Sequence, residues 1–191
     1  MIDIDTLRSK ARRAAVLFIL YQVYPRALGA GLIYEALTPD VTGDPDEVRR
    51  ALAYLCDRHQ VIAAGRASDG GPPLYRLTVA GVDAVEALPD ADLTRVRALR
   101  LLRLRILQAL DWGGARPMPV SLIAAALADD TDLDLSEPAV RRALAYLTEH
   151  ELASDGHAEG HPDLWRILPG GTDYLAGEGD GIEGVARPTV W

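Results

Sequence analysis

Apolar residues recur along this chain at helical spacing in long stretches and at alternate positions in short ones, and the same succession runs through it twice. From Asp5 to Tyr24 the pattern predicts a helix, broken at Pro25, and a short helix follows from Gly31 to Leu37, stopped by Pro39. Asp44 before Pro45 announces a third helix, as an N-cap followed by a favoured first position, and Glu47 completes a capping box in outline. At about 100° per residue, Val48, Ala51, Leu52 and Leu55 fall on one face, the expected core side. Val61 to Arg66 then reads as a strand, Asp69 to Pro73 as a turn, and Leu74 to Val79 as the returning strand. A last short helix is expected over about Ala80 to Leu88, and residues 89–92 make a linker.

The third helix carries an exact repeat. Val48-Arg49-Arg50-Ala51-Leu52-Ala53-Tyr54-Leu55 returns unchanged as Val140-Arg141-Arg142-Ala143-Leu144-Ala145-Tyr146-Leu147, followed at the same distance by an acid, Asp57 or Glu149. Tyr75-Arg76-Leu77 through Gly81 and Asp83 matches Trp165-Arg166-Ile167 through Gly171 and Asp173, and Leu32-Ile33 and Ala36-Leu37 match Leu122-Ile123 and Ala126-Leu127. The second copy is expected to run as a helix from Leu93 to Leu110, a helix from Val120 to Leu127, a helix capped by Ser136, and a hairpin turning at Gly160-His161-Pro162. The expected fold is mainly α with small β-hairpins (α+β), as two tandem winged helix-turn-helix domains over residues 1–90 and 91–176. Glycines at alternate positions over 177–181 disfavour helix and strand, so 177–191 is expected as an extended tail. Its aromatic end, Val190-Trp191, either docks on the body or a partner or is a frayed terminus.

Composition narrows the class. The 191 residues are 49% hydrophobic and 25% charged, enough for a core in each half. Net charge is −8, shared unequally: residues 1–91 carry 10 basic and 12 acidic side chains, 92–191 carry 10 and 16. A partner drawn by bulk electrostatics would be cationic. The lone Cys56 forms no internal disulfide and fits a buried or half-buried thiol in a reducing cytoplasm. Arg12-Arg13 before an apolar run imitates a secretory signal, but Arg103-Leu104-Arg105-Ile106-Leu107 repeats the pattern in mid-chain, and the run is too short to span a bilayer. No membrane association is expected.

The succession of helix, Val48-to-Leu55 repeat, hairpin and Leu77-Thr78-Val79-Ala80-Gly81 resembles the winged-helix modules of bacterial ArsR- and MarR-type regulators. The second half resembles small single-winged-helix proteins of Mu-like bacteriophages, through Gly171-Thr172-Asp173-Tyr174-Leu175-Ala176-Gly177 and Gly184-Val185-Ala186-Arg187-Pro188. Ala186 stands where that family's closing motif has a basic residue, and Met1-Ile2-Asp3-Ile4-Asp5 adds to the likeness. The resemblance implies a phage or prophage DNA-binding protein acting in transcription regulation or DNA handling.

For that function the third helix would enter the major groove and the hairpin would reach phosphates. With the Val48 face inward, Arg49, Arg50 and Tyr54 point outward, as do Arg141, Arg142 and Tyr146, and Arg66, Arg76 and Arg166 lie on the hairpins. These nine residues are the candidate double-stranded DNA contacts. Against them, Asp57 and Glu149 share the outward face, and Asp155, Glu159 and Asp163 make the second hairpin acidic. The alternative is an acidic adaptor that keeps the winged-helix scaffold, pairs these arginines with carboxylates, and binds proteins.

Arg95, Arg97, Arg100, Arg103 and Arg105 scatter around one helix among Leu99, Leu101, Leu102, Leu104 and Ile106. A helix apolar on several sides needs several covers. Homo-oligomer or partner contact through the first helix of each module is therefore expected, with Arg8, Lys10, Arg12 and Arg13 in the corresponding place. His157 and His161 with Asp155, Glu159 and Asp163 are the sole metal-like cluster, read as a polar loop tip. No nucleophile-base pair, phosphate loop or acid pair is legible, so no catalytic residue, cofactor or small-molecule substrate is expected.

Overall fold

The computed structural model of the protein describes residues 4–67, 70–114, 116–156, 161–178 and 180–188, with backbone alone at His161 and Pro162. Among the described residues the fold is α+β, with nine helices and two three-stranded antiparallel sheets. The chain forms two compact units, Met1–Pro89 and Asp90–Trp191. The first runs α1 (Ile4–Val23), β1 (Leu28–Gly29), α2 (Ala30–Ala36), α3 (Pro39–Thr42), α4 (Pro45–Asp57), β2 (Val61–Arg66), β3 (Pro73–Leu77) and α5 (Val79–Glu86). The second runs α6 (Leu93–Gly113), β4 (Met118–Pro119), α7 (Val120–Ala126), α8 (Glu137–Glu149), β5 (Ala153–Gly156), β6 (His161–Ile167) and α9 (Pro169–Leu175).

The repeated stripe is the core of each unit. Val48, Ala51, Leu52 and Leu55 of α4 are buried, as are Val140, Ala143, Leu144 and Leu147 of α8. They meet α1 and α6, whose buried Val16, Leu17 and Leu20 correspond to Ile106, Leu107 and Leu110. In both units the long first helix also packs on the last one, α1 on α5 and α6 on α9. The capping box that starts α4 is complete: the Glu47 N–H donates to Asp44 Oδ1 (2.7 Å) and the Asp44 N–H donates to Glu47 Oε2 (3.2 Å). Glu47 also pairs with Arg12 Nη2 (2.8 Å), while Arg12 Nε donates to the carbonyls of Val41 (2.8 Å) and Thr42 (3.1 Å). One buried guanidinium thus ties α1, α3 and α4 together.

The hairpins pair in matching registers, Val61 with Leu77 and Ala63 with Tyr75, then Ala153 with Ile167 and Asp155 with Trp165. Each sheet has a third strand that the sequence pattern misses, giving the orders β1-β3-β2 and β4-β6-β5. At two residues each, β1 and β4 are too short to show an alternation. The short helix α2 ends before Pro39, as expected, and Pro39 then opens the one-turn α3, because its fixed φ and missing N–H suit a first helical position. The returning strand ends at Leu77, and the Thr78 hydroxyl caps α5 by accepting from the Gly81 N–H (3.2 Å). His161 and Pro162 belong to β6 and not to the hairpin turn, while Gly160 and Asp69 lie outside the described residues. After α4 and α8 the chain turns through a left-handed residue that is not glycine, His59 (φ 56°) and Glu151 (φ 57°).

The close approach of the last helix to the preceding turn has a common device. A Cβ on Gly81 would collide with the Gln60 carbonyl and lie 2.6 Å from Leu77 Cδ1; on Gly171 it would collide with the Leu152 carbonyl and lie 2.7 Å from Ile167 Cγ1. Gly31, inside α2, has nothing near its Cβ direction. Gly81→Ala and Gly171→Ala are expected to destabilise their units by about 1–3 kcal/mol, and Gly31→Ala to stabilise by about 0.5–1 kcal/mol. Urea denaturation of the three variants checks both signs.

Candidate functional site

The two third helices present the same residues in different surroundings. On α4, Arg49, Arg50 and Tyr54 are exposed. Asp46 grips Arg49 one turn earlier on the same helix. Arg50 has no ion pair among the described residues, and nor does Arg66, exposed on β2. Arg76 on β3 is half-buried and has a partner.

On α8 the cations are answered by acids. Arg141 Nε pairs with Glu137 Oε1 (2.8 Å) and its Nη2 with Asp163 Oδ1 on β6 (3.2 Å), so its proton is held more tightly than usual, first by the Glu137 hydrogen bond. Arg142 is half-buried near Asp134, whose carboxyl is kept below its ordinary range chiefly by hydrogen bonds from Ser136 and in smaller part by Arg142 and Arg95. Arg166 is exposed on β6 and has a partner, and Glu149 is half-buried.

Tyr146 corrects the sequence reading. It was expected outward beside Arg141 and Arg142, and it is fully buried. Its place on the flank of α8 turns the ring toward α6, where the Arg103 guanidinium lies 3.8 Å from the ring centroid and is itself buried. Arg103 is thus buried and not laid on the surface of α6. Its Nη1 donates to the Gly184 carbonyl (2.7 Å), and a Cβ on Gly184 would run into the Tyr146 hydroxyl and lie 2.8 Å from Arg103 Nη1.

The segment beyond α9 that carries Gly184 has neither helix nor strand over its described residues, yet it is seated on the second unit. Val185 is buried, the Ala186 N–H donates to the Arg100 carbonyl (3.1 Å), and the Tyr174 hydroxyl is shared between the carbonyls of Val185 and Ala186 (3.1 Å each). Residues 180–188 thus supply one of the covers that α6 needs, on the side of Arg103. Val190 and Trp191 lie outside the described residues.

The first unit holds the same pair without that cover. Arg13, which corresponds to Arg103, lies 4.2 Å over the Tyr54 ring, and Tyr54 remains 43% exposed. The buried Glu86 side chain accepts from the Tyr21 hydroxyl (3.1 Å). Burial, reinforced by Asp57, raises the Cys56 thiol above its ordinary value, which disfavours the thiolate and so the nucleophile. Among the described residues no group of three or more His, Cys, Asp or Glu could hold a metal; His157 and Glu159 lie outside them. None of the helices, as described, is long and apolar enough to cross a membrane.

Comparison with known protein families, curated proteins and solved structures found no match for this chain.

His150, packed on Tyr146 with centroids 4.7 Å apart, has its pKa lowered from 6.5 by burial first and by Arg103 second, against a smaller opposing effect of Glu149. The folded state therefore prefers the neutral ring. Its folded pKa lies below the unfolded one, so stability is undiminished above about pH 6.5 and falls as pH drops through the window beneath it. Urea midpoints at pH 7 and pH 5 are expected to fall less in His150→Gln than in the parent protein; an equal fall in both would refute the assignment.

Proposed function

We propose that the chain is a tandem winged-helix protein that works as an acidic, non-enzymatic adaptor, binding other proteins in preference to DNA. The order of three main helices followed by a hairpin, with a short strand completing each sheet, supports the winged-helix reading. The observation that carries the adaptor reading is the setting of the repeated arginine pair. Arg141 is held by Glu137 and Asp163, Arg142 lies near Asp134, and Arg49 is held by Asp46. Affinity for DNA comes largely from counterions released when cations neutralise phosphates. Arginines already opposed by carboxylates contribute little to it, and a chain of net charge −8 adds a repulsive field.

A second reading is favoured by Arg50 and Arg66, exposed and opposed by no described carboxylate. In it the first unit alone contacts DNA, as in a phage or prophage regulator or an accessory of phage DNA handling. Fluorescence anisotropy with a labelled random-sequence duplex, at several salt concentrations, separates the two. The adaptor reading expects no salt-sensitive binding even at low salt. Binding that weakens steeply with salt, disappears in Arg50→Ala/Arg66→Ala and survives Arg141→Ala would replace it with the second reading.

A further inference from the structure

The second unit seats the segment around Gly184 on an arginine–tyrosine pair, and the first unit repeats that pair. In the second unit the groove lies between α6, α8 and α9, and its lining includes Arg103, Tyr146, Tyr174 and the Arg100 carbonyl. The segment ending at Pro188 occupies it. Gly184 sits against the Arg103–Tyr146 pair, where any Cβ would collide, and Val185 is buried beside it.

In the first unit the same three elements pack in the same way, α1 with α4 and with α5. The corresponding positions are Lys10, Arg13, Tyr54 and Ala84. Arg13 already stacks on Tyr54 as Arg103 does on Tyr146, so the cation and ring are pre-arranged. Tyr54 is 43% exposed where Tyr146 is fully buried, and Arg13 and Ala84 are half-buried. Among the described residues of the first unit, none takes the place of Gly184.

We propose that this groove of the first unit binds an extended segment of a partner protein containing a glycine followed by a small apolar residue. The glycine carbonyl accepts from the Arg13 guanidinium, as the Gly184 carbonyl does from Arg103. Glycine is required because a side chain would strike the tyrosine hydroxyl; the apolar residue fills the position that Val185 fills in the second unit. A second copy of this chain is the weaker occupant, since its own segment is held intramolecularly at high effective concentration. Ala84 in place of Tyr174 removes a hydroxyl clamp and widens this end of the groove, so the foreign segment is held less tightly and can exchange. This inference rests on the adaptor reading and names the chemistry of its partner.

The test uses the full chain and a synthetic peptide of residues 181–188, with a second peptide carrying Gly184→Val. By NMR, the first peptide is expected to shift the Arg13 Nε–H and Tyr54 ring signals saturably, and the Gly184→Val peptide to bind at least about tenfold more weakly, a difference of about 1.4 kcal/mol. Tyr54→Ala and Arg13→Gln in the protein are each expected to abolish the shift of the remaining partner while leaving the ring signals of Tyr21, buried in the first unit, in place, which shows that this unit stays folded. No shift at Arg13 and Tyr54, shifts confined to Arg103 and Tyr146, or self-association that fills the groove without added peptide would each overturn the proposal. Those outcomes are independent of the duplex titration, so a failure here is distinguishable from a failure of the adaptor reading.

Discussion

Keeping the Arg103 guanidinium inside the second unit is the constraint around which that unit is arranged. A buried cation costs several kcal/mol unless its charge is met by dipoles or partners in good geometry. Here a ring face and a backbone carbonyl meet it, and the carbonyl comes from a segment far along the chain. A cation–π contact of this desolvated kind contributes about 2 kcal/mol, against about 0.5–1 kcal/mol at an exposed site. The C-terminal segment therefore does more than cover apolar surface: it completes the solvation of a charge, and in doing so it draws Tyr146 out of reach of any external ligand.

The two units solve the junction of first and third helix differently. In the first, Arg12 and Glu47 form an ion pair there; in the second, the corresponding positions are the buried Leu102 and Ala139. Exchanging a partly buried ion pair for apolar contact is often neutral in stability, so the fold tolerates both. The second unit has lost the Arg12 charge and keeps the next one, since Leu102 and Arg103 stand where the first unit has Arg12 and Arg13. Both units stack that second arginine on a tyrosine, and the second unit alone, among the described residues, adds the Gly184 carbonyl to it.

Much of the architecture was legible because the duplication doubled every signal. The stripe from Val48 to Leu55, the Asp44 capping box and the two hairpins follow from period and cap chemistry that act within a few residues. The strands of two residues and the one-turn helix at Pro39 leave no periodic trace. The burial of Tyr146 is hidden for a different reason: helical spacing puts it on the flank of α8, where Arg103 and the Gly184 segment cover it. Identical octapeptides cannot announce unlike exposure. The unequal context was nevertheless present in the sequence, since only the second copy is followed by Gly184-Val185.

The corners after α4 and α8 are made by His59 and Glu151, both with positive φ. An ordinary side chain in that backbone region costs about 1 kcal/mol or more, and both halves of the duplication retain it. The bend is thus imposed from outside, by the helix on one side and the sheet on the other. Each corner works as a small compressed spring at the end of the helix that carries the repeated tyrosine, and it marks where glycine would relax the backbone.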